Sequence, residues 1–405
     1  MMTTRLCIFI ASIVLTCSFA HAQSSLLHSS NLTYAGAFKV PMSDGSHDLF
    51  GDAAGTALSY NPAHNSLIMV GRYGDQYLAE ISIPALSTST NIDDLNTATF
   101  LQNLADPLAG KLDSICAGGT NLIRGTLVAG SYLYVDAVTF YDTGDCQSAS
   151  HFRTGPTFSN PGTVIGPKTI GTLAPGIVAG EMFAIPANRQ SDLGGDATTG
   201  LASGISISQR LSIGPSAHSI TLADIGTSQP VPSTPLVYYP YDHPLGVFGE
   251  GQSSQLWAGP QTWAFGPVIE GGSALWFGVH GTGKVCYGNV PAECTDNVFT
   301  YKGYHAYPYR YQAWAYDIND LIAVKRGTKT AWEITPYSYW TLTFPFSDIG
   351  NSTQVMNGVA YDAANKKIYV AVSNSWSNDG VVVYCYTISS SSSIPSAPRN
   401  LRKSG

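Results

Sequence analysis

Apolar positions along this chain fall in short runs rich in β-branched and aromatic residues, each broken by Gly, Pro, Asn or Asp. The 3.6-residue periodicity of an amphipathic helix is almost absent, so the pattern predicts strands and tight turns throughout. Several runs come as similar hairpins. Residues 57–70, ALSYNPAHNSLIMV, align with residues 358–370, GVAYDAANKKIYV, which sets Tyr60 on Tyr361, Asn61 on Asp362 and Leu67 on Ile368. Looser copies read IRGTLVAGSYLYVDAVTF at 123–140 and WAFGPVIEGGSALWFGV at 263–279.

Antiparallel hairpins recurring at wide spacing predict an all-β fold of the β-propeller type, in which each sheet buries its faces against its neighbours around an axis. A sandwich or a β-helix uses similar runs but does not account for that spacing. A repeat of roughly 50 to 70 residues, divided into the chain, gives about six or seven blades. The early strand LTYAGAFKV (32–40) and the late pair KKIYVAVS and GVVVYCYTI (366–388) are expected to share one sheet. That pairing removes the open edge an unclosed ring would leave.

The two ends read differently from the middle. Residues 1–22 carry one cation at Arg5, an apolar run from Leu6 to about Ala20, and the small-x-small triplet Ala20, His21, Ala22. This is the pattern of a secretory signal peptide cut before Gln23, so the expected location is secreted or periplasmic. No other stretch approaches the roughly 20 apolar residues of a membrane span. Residues 23–388 form the expected propeller domain, and 389–405 have the Ser- and Pro-rich composition of a linker. Within that tail, PSAPRNLRKSG resembles the opening strand of a fibronectin type III domain, which implies a modular ancestry and nothing further.

Only 12% of residues are charged and the net charge is -7, with no basic run to neutralise phosphates, so nucleic acid is not an expected partner. Once Cys7 and Cys17 leave with the signal, Cys116, Cys146, Cys286, Cys294 and Cys385 remain. In an oxidising compartment a Cys116–Cys146 bridge would close a loop of about 30 residues and contribute about 3 kcal/mol. Cys385, inside VVVYCYTI, reads as a buried small hydrophobe.

Chemistry concentrates in residues 280–312, HGTGKVCYGNVPAECTDNVFTYKGYHAYPYRYQ. His280, Cys286, Cys294 and His305 supply the four N and S ligands of a structural zinc site, although the spacing is not that of a standard finger. The alternative is a Cys286–Cys294 disulfide, and both stay open at this point. From Tyr307 onward, strand alternation puts Tyr307, Tyr309 and Tyr311 on one face and Arg310, Gln312, Trp314 and Tyr316 on the other. Tyr304, Tyr307, Tyr309, Arg310 and Gln312 are the expected contacts for a polar ligand; the alternative is that both faces pack between blades.

A second constellation lies in SASHFRTG (148–155), where His151 and Arg153 share one face of a strand. An imidazole base beside a guanidinium suits removal of the proton α to a uronate carboxyl, followed by elimination, with Arg210 as the other candidate cation. Glu181, Glu250 and Glu270 are isolated acids with no visible partner for glycoside hydrolysis. Serine-hydrolase elbows, zincin helices and phosphate loops are absent.

These residue types in a secreted propeller are similar to those of polysaccharide lyases such as the ulvan lyases, a general likeness of architecture without a motif match. It implies a polysaccharide lyase, if the chain is an enzyme. The competing expectation is a non-catalytic propeller that binds glycan or protein.

Overall fold

The computed structural model describes residues 25–49, 57–173, 178–200, 210–347, 349, 355–376 and 380–389. The expected signal peptide and residues 390–405 of the Ser- and Pro-rich tail, with its fibronectin-like stretch, lie outside the described residues.

Five four-stranded antiparallel sheets follow one another along the chain. Their first strands are Leu58–Asn61, Thr120–Ala129, Phe183–Ala184, Thr262–Glu270 and Met356–Asp362. The propeller expectation holds, but with five blades in place of six or seven. First strands begin at residues 58, 120, 183, 262 and 356, so the repeat lengthens toward the C-terminus. The fourth blade carries an extra hairpin, Cys286–Gly288 with Gly303–His305, and a helix, Ile318–Lys325, between its strands. Insertions of that kind carry no propeller periodicity, and dividing the length by the shorter repeats overcounts the blades.

Closure follows the expected route. Leu32–Lys39 pairs antiparallel with Gly380–Ile388 and becomes the outer strand of the fifth blade. The aligned hairpins also share one register, Tyr60 opposite Leu67 and Tyr361 opposite Ile368.

Packing explains the strand composition. Five large apolar clusters each join a pair of neighbouring blades. Ile68 and Val70 of the first blade meet Leu133 and Val135 of the second. Leu67 and Met69, one position away, meet Tyr369 and Val383 of the fifth. Leu127 and Tyr134 meet Ala197 and Ile220 between the second and third blades. Leu236 and Val237 meet Trp276 and Trp314 between the third and fourth, and Leu275 and Tyr311 meet Val370 and Tyr384 between the fourth and fifth. Both faces of each sheet are therefore covered, which demands near-continuous apolar runs in place of strict alternation.

In such meanders the connections alternate ends. The link from second to third strand and the link from each blade to the next emerge at one end of the propeller, here termed the loop face. Both disulfides belong to these links: Cys116–Cys146 joins the entry of the second blade to its second-to-third connection, and Cys286–Cys294 lies in the inserted hairpin of the fourth. Two disulfides suit an oxidising compartment. Among the described residues no helix is long and apolar enough to cross a membrane. Cys385 is a buried thiol, as its surroundings predict.

Candidate functional site

The inserted hairpin resolves the choice between zinc and disulfide. Cys286 and Cys294 are bonded to each other, which removes both thiolates from any zinc quartet. The two histidines are occupied as well. His280 is fully buried, with Nδ1 2.9 Å from Thr262 Oγ1 and Nε2 3.0 Å from the Ser254 carbonyl. His305 pairs through Nδ1 with Asp296 Oδ2 at 2.9 Å and through Nε2 with the Tyr301 carbonyl. The zinc expectation is thus corrected: a covalent staple and a buried Asp296 hub hold this loop. Asp296 also accepts from the N–H groups of Val298 and Phe299 and from the Tyr309 hydroxyl at 2.6 Å.

Burial holds the His280 imidazole down to about 3, with the nearby Arg310 charge acting in the same direction. An unfolded histidine takes its proton below about pH 6.5, whereas the folded one does so only near 3, so stability falls as pH drops through that window. By pH 4.5 this group costs about 3 kcal/mol. Replacing it as His280→Gln is expected to flatten the acid limb of a urea-midpoint-versus-pH curve by one proton; an unchanged slope would contradict the assignment.

Within the tyrosine-rich strand Tyr309–Asp317 most side chains are packed. Tyr309 and Gln312 are buried, and Arg310 donates from Nε to Gln312 Oε1 at 2.7 Å while reaching the Gln255 carbonyl. Tyr307 accepts from Asn297 and lies edge-on to Tyr309. Arg310 and Gln312 do meet, as alternation predicts, but as a brace across to the 238–261 connection. Of the five expected ligand contacts, Arg310 lies over the exposed ring of Tyr339 at 5.8 Å, and Tyr304 joins a larger group of aromatic rings.

Tyr304 faces Tyr287 across the inserted hairpin, with ring centroids 4.9 Å apart. Phe248 lies 6.3 Å from Tyr304, and Tyr241 lies 5.0 Å from Phe248. Burial raises the Tyr304 hydroxyl above its ordinary range, and Glu250, Tyr241, Tyr287 and Tyr141 add to the effect through space. Tyr141, Tyr241 and Tyr287 are 50%, 43% and 40% exposed, an unusual amount of aromatic surface left in water. Two separate connections thus build one aromatic platform on the loop face, 238–261 between the third and fourth blades and the stapled hairpin of the fourth; Tyr141 of the 141–150 connection acts on the Tyr304 hydroxyl through space.

Sequence reasoning found one edge of this platform and missed the rest. Tyr141, Tyr241 and Phe248 lie in turn-rich segments well separated along the chain from Tyr304, and no local pattern marks them. Arg210 borders the platform. Its guanidinium bonds Asp142 at 2.9 Å, Asp145 at 3.1 Å and the Gln147 carbonyl at 2.7 Å, pinning the loop that carries Tyr141.

His151 and Arg153 do share a face, toward the third blade, but their surroundings differ. His151 is fully buried, with Nδ1 2.8 Å from Ser150 Oγ, Nε2 2.9 Å from Thr199 Oγ1, and Asp136 Oδ2 at 3.7 Å. Burial lowers its imidazole to about 3. Arg153 covers the ring of Tyr132 at 4.5 Å. Arg210 comes instead from the second-to-third connection of the third blade and bonds the loop that carries Tyr141. Among the described residues no group of three or more His, Cys, Asp or Glu side chains is arranged to hold a metal ion. Compared with known protein families and with curated proteins, the chain gives no match.

Proposed function

We propose that this propeller is an exported glycan-binding protein whose loop-face aromatic platform holds the sugar. The observation that carries the reading is the convergence of Tyr241, Phe248, Tyr287 and Tyr304 from two connections, with Tyr241 and Tyr287 left exposed. A tyrosine offers an apolar ring for the C–H face of a sugar and a hydroxyl for its oxygens. Two disulfides and the Arg210 clamp fix the loops beforehand, which lowers the ordering cost of binding.

Elimination by His151 is the weaker reading. A closed, hydrogen-bonded imidazole held near 3 is a poor base for a substrate proton. One screen separates the two: purified protein on a glycan array, alongside uronate polymers followed for unsaturated-sugar absorbance. Retention of one or more glycans without that absorbance is expected. An absorbance increase lost in His151→Ala would favour the lyase, and no retention of any glycan would overturn the proposal.

A further inference from the structure

The aromatic platform also carries negative charge. Gly251 donates its N–H to the Val285 carbonyl at 2.7 Å, and the Val285 N–H returns a bond to the Gln252 carbonyl at 2.8 Å, so the 249–252 turn is tied to the strand that leads into Tyr287. Val285 and Ala306 pack with Val247 and Tyr304 at this seam. Glu250 stands in that turn, two residues after Phe248, and of the groups that act on the Tyr304 hydroxyl through space it acts most strongly. Its carboxylate is exposed and makes no ion pair or hydrogen bond among the described residues, neither with Lys284 nor with Lys302 beside the hairpin. Asp242 adds a second exposed carboxylate next to Tyr241, at the corner of the turn closed by the His243 N–H on the Pro240 carbonyl, with the His243 ring 3.8 Å from it.

The rings beside these carboxylates are not covered by the protein's own cations. Arg153 lies over Tyr132 and Arg310 over Tyr339, but among the described residues no Lys or Arg lies over Tyr241, Phe248, Tyr287 or Tyr304. Neighbouring rings meet steeply, at 68° for Tyr287 and Tyr304, 51° for Tyr304 and Phe248, and 76° for Phe248 and Tyr241. They therefore offer faces in more than one direction. An aromatic face attracts a cation within about 6 Å of its centre, and a carboxylate alongside adds a charge-assisted hydrogen bond to the same cation. A uronate would meet repulsion from Glu250 and Asp242 instead.

We infer that the glycan held by this platform is cationic, an oligomer of hexosamine units with free amino groups, and that Glu250 is the residue that selects it. This rests on the glycan reading above and names its ligand class. The rings supply stacking to any sugar with a flat C–H face, so they do not discriminate by charge. Glu250 does, because an ammonium gains both the carboxylate and the ring faces, whereas the N-acetylated sugar keeps the stacking and loses the charge. A fully solvated ion pair contributes little, but here aromatic rings displace water from one side of the carboxylate and strengthen the attraction. The net charge of -7 acts in the same direction at long range, drawing a polycation toward the protein and weakening with added salt.

The test is titration calorimetry of wild type and Glu250→Gln with glucosamine, N-acetylglucosamine, glucose and galacturonate oligomers of equal length, with the amine protonated. Wild type is expected to bind the glucosamine oligomer about 10-fold more tightly than the N-acetylated one, and the galacturonate oligomer least. In Glu250→Gln the two affinities should come within about 3-fold of each other, with binding of the N-acetylated oligomer unchanged. The side chain is exposed, so a thermal midpoint matching wild type is expected for the variant. Equal wild-type affinity for the two hexosamine oligomers, or a preference for galacturonate, would overturn the charge selection and leave glycan binding standing. A preference for glucosamine that survives in Glu250→Gln would overturn the role of Glu250, and no binding of any oligomer would overturn the glycan reading with it.

Discussion

A chain lacking residues up to Lys39 is expected to lose its cooperative thermal transition and to aggregate. The missing strand, Leu32–Lys39, completes the fifth blade, and with it go Ala37 and Phe38, both fully buried. Removing a buried Phe side chain alone costs about 3–5 kcal/mol, against a total domain stability of about 5–15 kcal/mol. The deletion also uncovers the edge of Gly380–Ile388, whose sequence GVVVYCYTI has no charge to block a new strand. Circular dichroism melts and size-exclusion chromatography read the outcome. A monomeric truncated protein with an unaltered midpoint would show that the ring does not depend on this closure.

Substitution of the facing pair, Tyr287→Ala and Tyr304→Ala, is expected to weaken glycan affinity by about 10-fold singly and about 100-fold together, at about 1–1.5 kcal/mol per ring. Folding should barely change, because Tyr287 is 40% exposed and the hairpin is held from below by Cys286–Cys294 and by Asp296. Tyr309→Phe provides the contrast. It leaves the platform untouched and removes a buried hydrogen bond to Asp296, so stability should fall by about 1–2 kcal/mol with affinity unchanged. Titration calorimetry and urea unfolding on the same preparations separate the two effects.

How far the sequence reveals this molecule depends on the range of the interactions involved. The Tyr60 and Tyr361 hairpins could be aligned because turn chemistry and strand register are local, and Asn61 and Asp362 both cap their turns by accepting backbone N–H groups. Closure by residues 32–40 was legible because a ring must hide its last edge. Blade number was not, since the fourth blade's inserted hairpin and helix break the repeat. Cys286 and Cys294 were legible as a staple, but its kind depended on what His280 and His305 touch. Those partners, Thr262, Ser254, Asp296 and the Tyr301 carbonyl, have no signature in the spacing.

The same limit governs the sites. Alternation placed His151 and Arg153 on one face correctly, yet it carries no information on depth, and depth separates a buried imidazole from a rim guanidinium. Glu181 looks solitary in the sequence because the acid whose charge reaches it, Asp136, comes from another blade. The platform tyrosines are set in register by the ring of blades and by nothing nearby in the chain.

Stacking on the platform is tested most directly by saturation-transfer NMR with a glycan retained in the array screen, using wild type and the Tyr287→Ala/Tyr304→Ala variant. Irradiating the tyrosine ring protons of wild type should transfer saturation to the C–H protons on one face of the sugar ring, and the double variant should lose most of that transfer. Equal transfer in the two proteins would contradict the claim that the loop-face tyrosines hold the sugar.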